Sequence, residues 1–181
     1  MKIAKIAAMA ALLLVSAPAF AQDHTIRVGG ELELGGAERA STVTTVSGAV
    51  GPVVGSLGVK SQFAKGDARA SNEFVLGAKY VVPFTYYNVT PYVKGEVGVK
   101  SSKGGDTFAA LEAGLAGPIN ESLSWEAGYR YRNYDKAASE GRYALSVIQP
   151  LGAFTVDYSL FDYSVSGKNT VAAGVGVATK F

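Results

Sequence analysis

The sequence predicts an all-β chain, closed into an antiparallel up-and-down transmembrane barrel of about ten strands, with eight the alternative count. Three observations lead there. Apolar and polar residues alternate with period two from Thr25 to Phe181. No stretch after the first 21 residues approaches the roughly 18 consecutive apolar residues of a spanning helix. The connections between the alternating stretches are of two chemical kinds, which take turns along the chain.

Residues 1–21 read as a cleaved signal peptide. Lys2 and Lys5 supply a positive start, Ile6 to Val15 an apolar core, and Ala19-Phe20-Ala21 a small-x-small cleavage pattern. A retained membrane anchor is the competing reading; its apolar run is short for a spanning helix. Cleavage makes residues 22–181 the barrel domain. It also removes two of the 17 basic residues, which leaves 15 against 15 acidic ones. A formally neutral chain without a basic stripe gives no footing for nucleic acid. There is no cysteine, so an exported chain of this size must be held by burial and hydrogen bonding alone.

The first strand is expected at Thr25–Leu34. Ile26, Val28, Gly30, Leu32 and Leu34 form one face; Arg27, Gly29, Glu31 and Glu33 form the other. Thr42–Val50 is the least patterned candidate, with Thr and Ser on both faces. Val53–Phe63, Glu73–Val82, Pro91–Lys100 and Thr107–Ala116 follow, each with charge confined to one parity. The clearest strand is Ser122–Arg132, where Leu123, Trp125, Ala127, Tyr129 and Tyr131 oppose Ser124, Glu126, Gly128, Arg130 and Arg132. Arg142–Ile148 and Ala153–Asp162 precede the last strand, Val171–Phe181, whose second face is small: Ala172, Gly174, Gly176 and Ala178, then Lys180.

One kind of connection carries all five prolines that follow the signal: Gly51-Pro52, Pro83 to Pro91, Gly117-Pro118 and Gln149-Pro150. The other has no proline and is charged: Gly35–Ala40, Ala64–Ser71, Ser101–Asp106, Asn133–Gly141 and Ser164–Thr170. Proline donates nothing to a sheet ladder, so its confinement to alternate connections supports the strand assignment. A chain that crosses a bilayer repeatedly is expected to have two chemically different ends. Aromatic residues are expected to form belts at both ends. Tyr80, Phe84, Tyr86, Tyr87, Tyr92, Trp125, Phe154 and Phe181 fall near the proline end; Phe63, Phe74, Tyr129, Tyr131, Tyr134, Tyr143 and Tyr163 fall near the other.

Alternation alone fits either a soluble barrel, apolar inside, or a membrane barrel, apolar outside. The last strand bears on the choice. Val175, Val177 and the terminal Phe181, with Val171, Ala173 and Thr179 on the same face, resemble the closing strand of the small outer-membrane β-barrel proteins of Gram-negative bacteria. The likeness is in the style of OmpA, OmpX and the opacity proteins and carries no motif specific to one of them. It implies the cell outer membrane as location, outer-membrane lipid as surroundings, and recognition of the Val175, Val177 and Phe181 pattern by the barrel-assembly machinery.

If the charged face lines a lumen, Arg27, Glu31, Glu33, Lys94, Glu96, Glu112, Glu126, Arg130 and Arg132 meet inside it. There they are expected to form a network of ion pairs, or else the lining of a narrow pore. No enzyme is expected: the one histidine, His24, lies beside the expected mature terminus and reads as a frayed, solvated residue, and no cysteine is available as nucleophile or ligand. No cofactor and no metal site is expected. A structural or narrow-pore barrel is therefore the leading reading. The alternatives are a small porin-like diffusion channel, an adhesin acting through charged external loops, and a soluble carrier of an apolar ligand. Arg39, Lys65, Arg69, Lys103, Lys136 and Lys168 are the loop cations that would meet lipid phosphates or a partner. The pattern leaves the oligomeric state open.

Overall fold

A computed structural model describes residues 23–34, 39–64, 71–101 and 105–181. The proposed signal peptide lies outside the described residues, as do Lys65, Arg69, Lys103 and the side chain of Arg39. The described chain forms ten strands: β1 (Asp23–Leu34), β2 (Arg39–Val50), β3 (Val53–Ala64), β4 (Ser71–Val81), β5 (Thr90–Ser101), β6 (Asp106–Asn120), β7 (Leu123–Tyr134), β8 (Glu140–Leu151), β9 (Phe154–Val165) and β10 (Lys168–Lys180). Each pairs antiparallel with its sequence neighbour, and β1 pairs with β10, so the sheet closes. Closure removes the edge strands and gives the backbone its partners without help from solvent.

Strand formation follows from residue type where the pattern is strong and from the ladder where it is weak. Thr and Val carry β2 even though its two faces differ little, because β1 and β3 bracket it along its whole length. β8 runs longer than its alternation suggests, from Glu140 instead of Arg142. Three prolines stand inside strands and not in connections: Pro91 second in β5, Pro118 near the end of β6, and Pro150 next to last in β8. All three are near strand ends, where a missing donor costs least, and the β6–β7 register shifts between Pro118 and Asn120. The β9–β10 connection is far tighter than expected. It is a two-residue turn with positive φ at both Ser166 (51°) and Gly167 (75°), the geometry that suits the twist of a hairpin.

The facing is that of a membrane barrel. Leu111, Leu145, Tyr158 and Leu160 point outward and are half exposed or more. Among the described residues the buried apolar set is Tyr92, Phe108, Phe161 and Ala172, whereas Glu73, Glu96, Glu112, Arg130 and Arg132 are all buried inside. In water this arrangement would expose apolar surface and bury charge, both unfavourable. Hydrocarbon outside reverses the first term, and a paired lumen offsets the second. The soluble carrier reading does not fit this geometry.

Three aromatic residues depart from the belts expected of them. Tyr92, Tyr134 and Tyr163 point into the lumen, where they bond Glu112, Arg132 and Glu31. Tyr92 and Tyr134 share the parity of the charged residues on their own strands, and Tyr163 that of Asp157, so parity outweighs distance from the strand end. His24 also departs from expectation. It is not a frayed terminal residue: its ring stacks on Phe181 with centroids 5.5 Å apart, and its carbonyl accepts from the Phe181 N–H.

Candidate functional site

The charged faces of all but β2 and β10 converge on the middle of the lumen. Two cavities occupy the interior, one of about 460 Å³ toward the proline end and one of about 530 Å³ toward the charged-loop end. Glu31, Lys60, Glu73, Arg130 and Arg132 line both, so these five side chains form a charged layer at the junction of the two cavities.

Around that layer runs a continuous chain of ion pairs. Lys100 Nζ lies 3.4 Å from Glu73, whose other oxygen is 2.9 Å from Arg132. Arg132 reaches Glu96 at 3.7 Å, and Arg130 reaches the same Glu96 oxygen at 3.5 Å. Arg130 then closes on Glu140 at 2.6 Å, while Lys94 holds the second Glu96 oxygen at 2.6 Å. Glu73 is only 2 % exposed, a burial that an unpaired carboxylate would not tolerate. Several contacts span the barrel. Arg132 of β7 meets Glu73 of β4, and Lys79 of β4 meets Glu126 of β7 at 2.5 Å.

Simple pairs surround the chain. Lys60 bonds Glu31 at 2.5 Å, with the Tyr163 and Ser41 hydroxyls donating to the same carboxylate. Arg142 bonds Glu112 at 3.3 Å. Arg27 bonds Asp157 with both Nε and Nη2, at 2.7 and 2.5 Å. That last pair crosses β10, and the small face of β10 makes room for it. A Cβ added at Gly176 would lie 2.5 Å from both Arg27 Nη2 and Asp157 Oδ2. Small residues thus set where large charged ones can meet.

Aromatic rings complete the lining. Arg132 sits 4.0 Å above the Phe108 ring and Lys79 sits 3.8 Å above Tyr92, so the cations gain a π face as well as a carboxylate. Tyr92 lies across two glycines. Its ring occupies the space where a Cβ of Gly114 would stand, and its hydroxyl lies 2.5 Å from the equivalent point on Gly128.

The nine lumen residues named from sequence divide as follows. Glu96, Arg130 and Arg132 lie in the continuous chain, with Lys94 attached to Glu96. Arg27, Glu31, Glu112 and Glu126 belong to simple pairs. Glu33 lines the cavity at the charged-loop end, away from the layer. Seven further participants stand outside the nine: Lys60, Glu73, Lys79, Lys100 and Asp157, which share the charged parity of their expected strands, and Arg142 and Glu140. Glu140 had been placed in a connection, and Arg142 opened a strand whose parity with Ala144 and Ser146 was the available signal. Among the described residues no cluster of His, Cys, Asp and Glu is arranged to hold a metal ion. Val175 and Phe181 stand on the outer face, and Val177 with them, at 45 % exposure or above.

No protein-family model matches the chain, and no curated protein sequence matches it. Solved structures do. The KdgM porin in complex with disordered oligogalacturonate is 16% identical and aligns over 87% of this chain and 99% of its own, with a TM-score of 0.54. The NanC porin is 13% identical and aligns over 86% of this chain and 100% of its own, with a TM-score of 0.55. The chain has the fold of outer-membrane β-barrel porins. At such identities the likeness is one of architecture.

Proposed function

We propose that the chain is an integral outer-membrane β-barrel, delivered by the signal peptide at residues 1–21, whose lumen is closed to free passage by the ion-pair layer. Its type is structural or narrow-channel, without catalysis. The observation that supports this reading is the shared lining: five charged side chains, paired and largely buried, stand at the junction of the two cavities. A solute crossing the layer must part groups that are buried and mutually paired. Breaking one partner of a buried pair costs about 3–5 kcal/mol, and lumen water reduces that figure.

The cavities themselves, and the porin fold, favour the second reading of a small diffusion channel. Conductance separates the two. Purified wild-type protein in planar bilayers is expected to conduct weakly. Arg130→Ser with Arg132→Ser removes two cations from the layer and is expected to open a steady pore. A large, stable current through wild-type protein would overturn closure in favour of the diffusion channel.

A further inference from the structure

Charge is not evenly matched within the layer, and the mismatch has a sign. Four of the lumen pairs are one cation to one carboxylate: Arg27 with Asp157, Lys60 with Glu31, Lys79 with Glu126, and Arg142 with Glu112. The continuous chain is different. Among the described residues it joins four cations, Lys94, Lys100, Arg130 and Arg132, to three carboxylates, Glu73, Glu96 and Glu140. One positive charge is left over within this chain; Glu33, the lumen carboxylate outside it, lines the charged-loop cavity.

Glu96 is the centre of that imbalance. It is the one carboxylate of the chain that three cations contact, at 2.6, 3.5 and 3.7 Å, and its side chain is 7 % exposed. Arg130 and Arg132 also each keep a buried Nε–H that no protein acceptor uses.

We infer that Glu96 is the residue that sets the charge selectivity of the lumen, and that the layer admits small anions in preference to cations. The inference rests on the lumen reading above and adds a sign to it. A small anion entering there meets four cations held by three carboxylates, one positive charge in excess. A cation meets the same excess as repulsion. Rings of Lys and Arg select anions in this way, and rings of acids select cations.

Substitutions that move the count in opposite directions test the sign. Glu96→Gln leaves four cations to two carboxylates. Arg130→Ser with Arg132→Ser leaves two cations to three carboxylates. Reversal potentials are measured in planar bilayers across a potassium chloride gradient. Glu96→Gln is expected to shift the potential toward that of chloride, and the double arginine variant toward that of potassium. Glu140→Gln gives the same count as Glu96→Gln from a less buried position, and it decides the matter if Glu96→Gln does not assemble. Equal reversal potentials, or shifts of the same sign, would overturn the inference. Closure is read separately, from the size of the wild-type current.

Discussion

Single residues in this barrel act through the space they leave as much as through the groups they carry. Tyr92 illustrates both. Its hydroxyl donates to Glu112 at 3.0 Å, and its ring fills the floor left by Gly114 and Gly128 on the next two strands. Tyr92→Phe removes the bond to a buried carboxylate and should cost about 1.5–3 kcal/mol. Tyr92→Ala also empties the space above two glycines, where aromatic-to-alanine changes cost about 3–5 kcal/mol. Urea unfolding from lipid vesicles measures both. Equal costs for the two variants would mean that the ring contributes nothing beyond its hydroxyl. At this scale the sequence showed which residues are charged and which parity they share, and therefore which of them meet inside. It did not show that Arg27 would choose Asp157, because that choice depends on the β1–β10–β9 register and on the glycine between them. Tyr92, Tyr134 and Tyr163 were misread because aromatic type was weighed above parity.

For the strands, period-two alternation marked ten candidates, since lipid on one side and charge on the other leave each residue only two environments, but with Thr and Ser on both faces of β2 it left eight as an alternative count. The ends were less legible. A proline can stand inside a strand where its absent N–H would have pointed away from the ladder, so Pro91, Pro118 and Pro150 blurred the boundaries. Facing makes a sharp prediction for β6, where Gly114 points inward beneath Tyr92 and Leu115 points outward at 45 % exposure. Leu115→Arg should destabilise the barrel in a bilayer by about 2–4 kcal/mol, the cost of a cation facing hydrocarbon near the midplane. In detergent micelles thin enough to admit water the same variant should be nearly neutral. An equal loss in both media would place Leu115 in protein packing instead of lipid contact.

The whole molecule is a solvent inversion: charge within, apolar surface without, and a ladder closed on itself so that no backbone edge meets lipid. Its interior coheres through paired ions and cation–π contacts, and its exterior gains stability only in a bilayer. Closure of the lumen and any selectivity both depend on that inversion, because a charged layer can obstruct a pathway only if the pathway is inside. The chain carries its own reporter. Trp125 is its one tryptophan and lies on the outward parity of β7, opposite Gly117 across the β6–β7 ladder. Tryptophan fluorescence of the protein refolded into vesicles should be quenched by lipids brominated along their acyl chains and little affected by aqueous acrylamide. Strong quenching by acrylamide with none by brominated lipid would contradict the inversion.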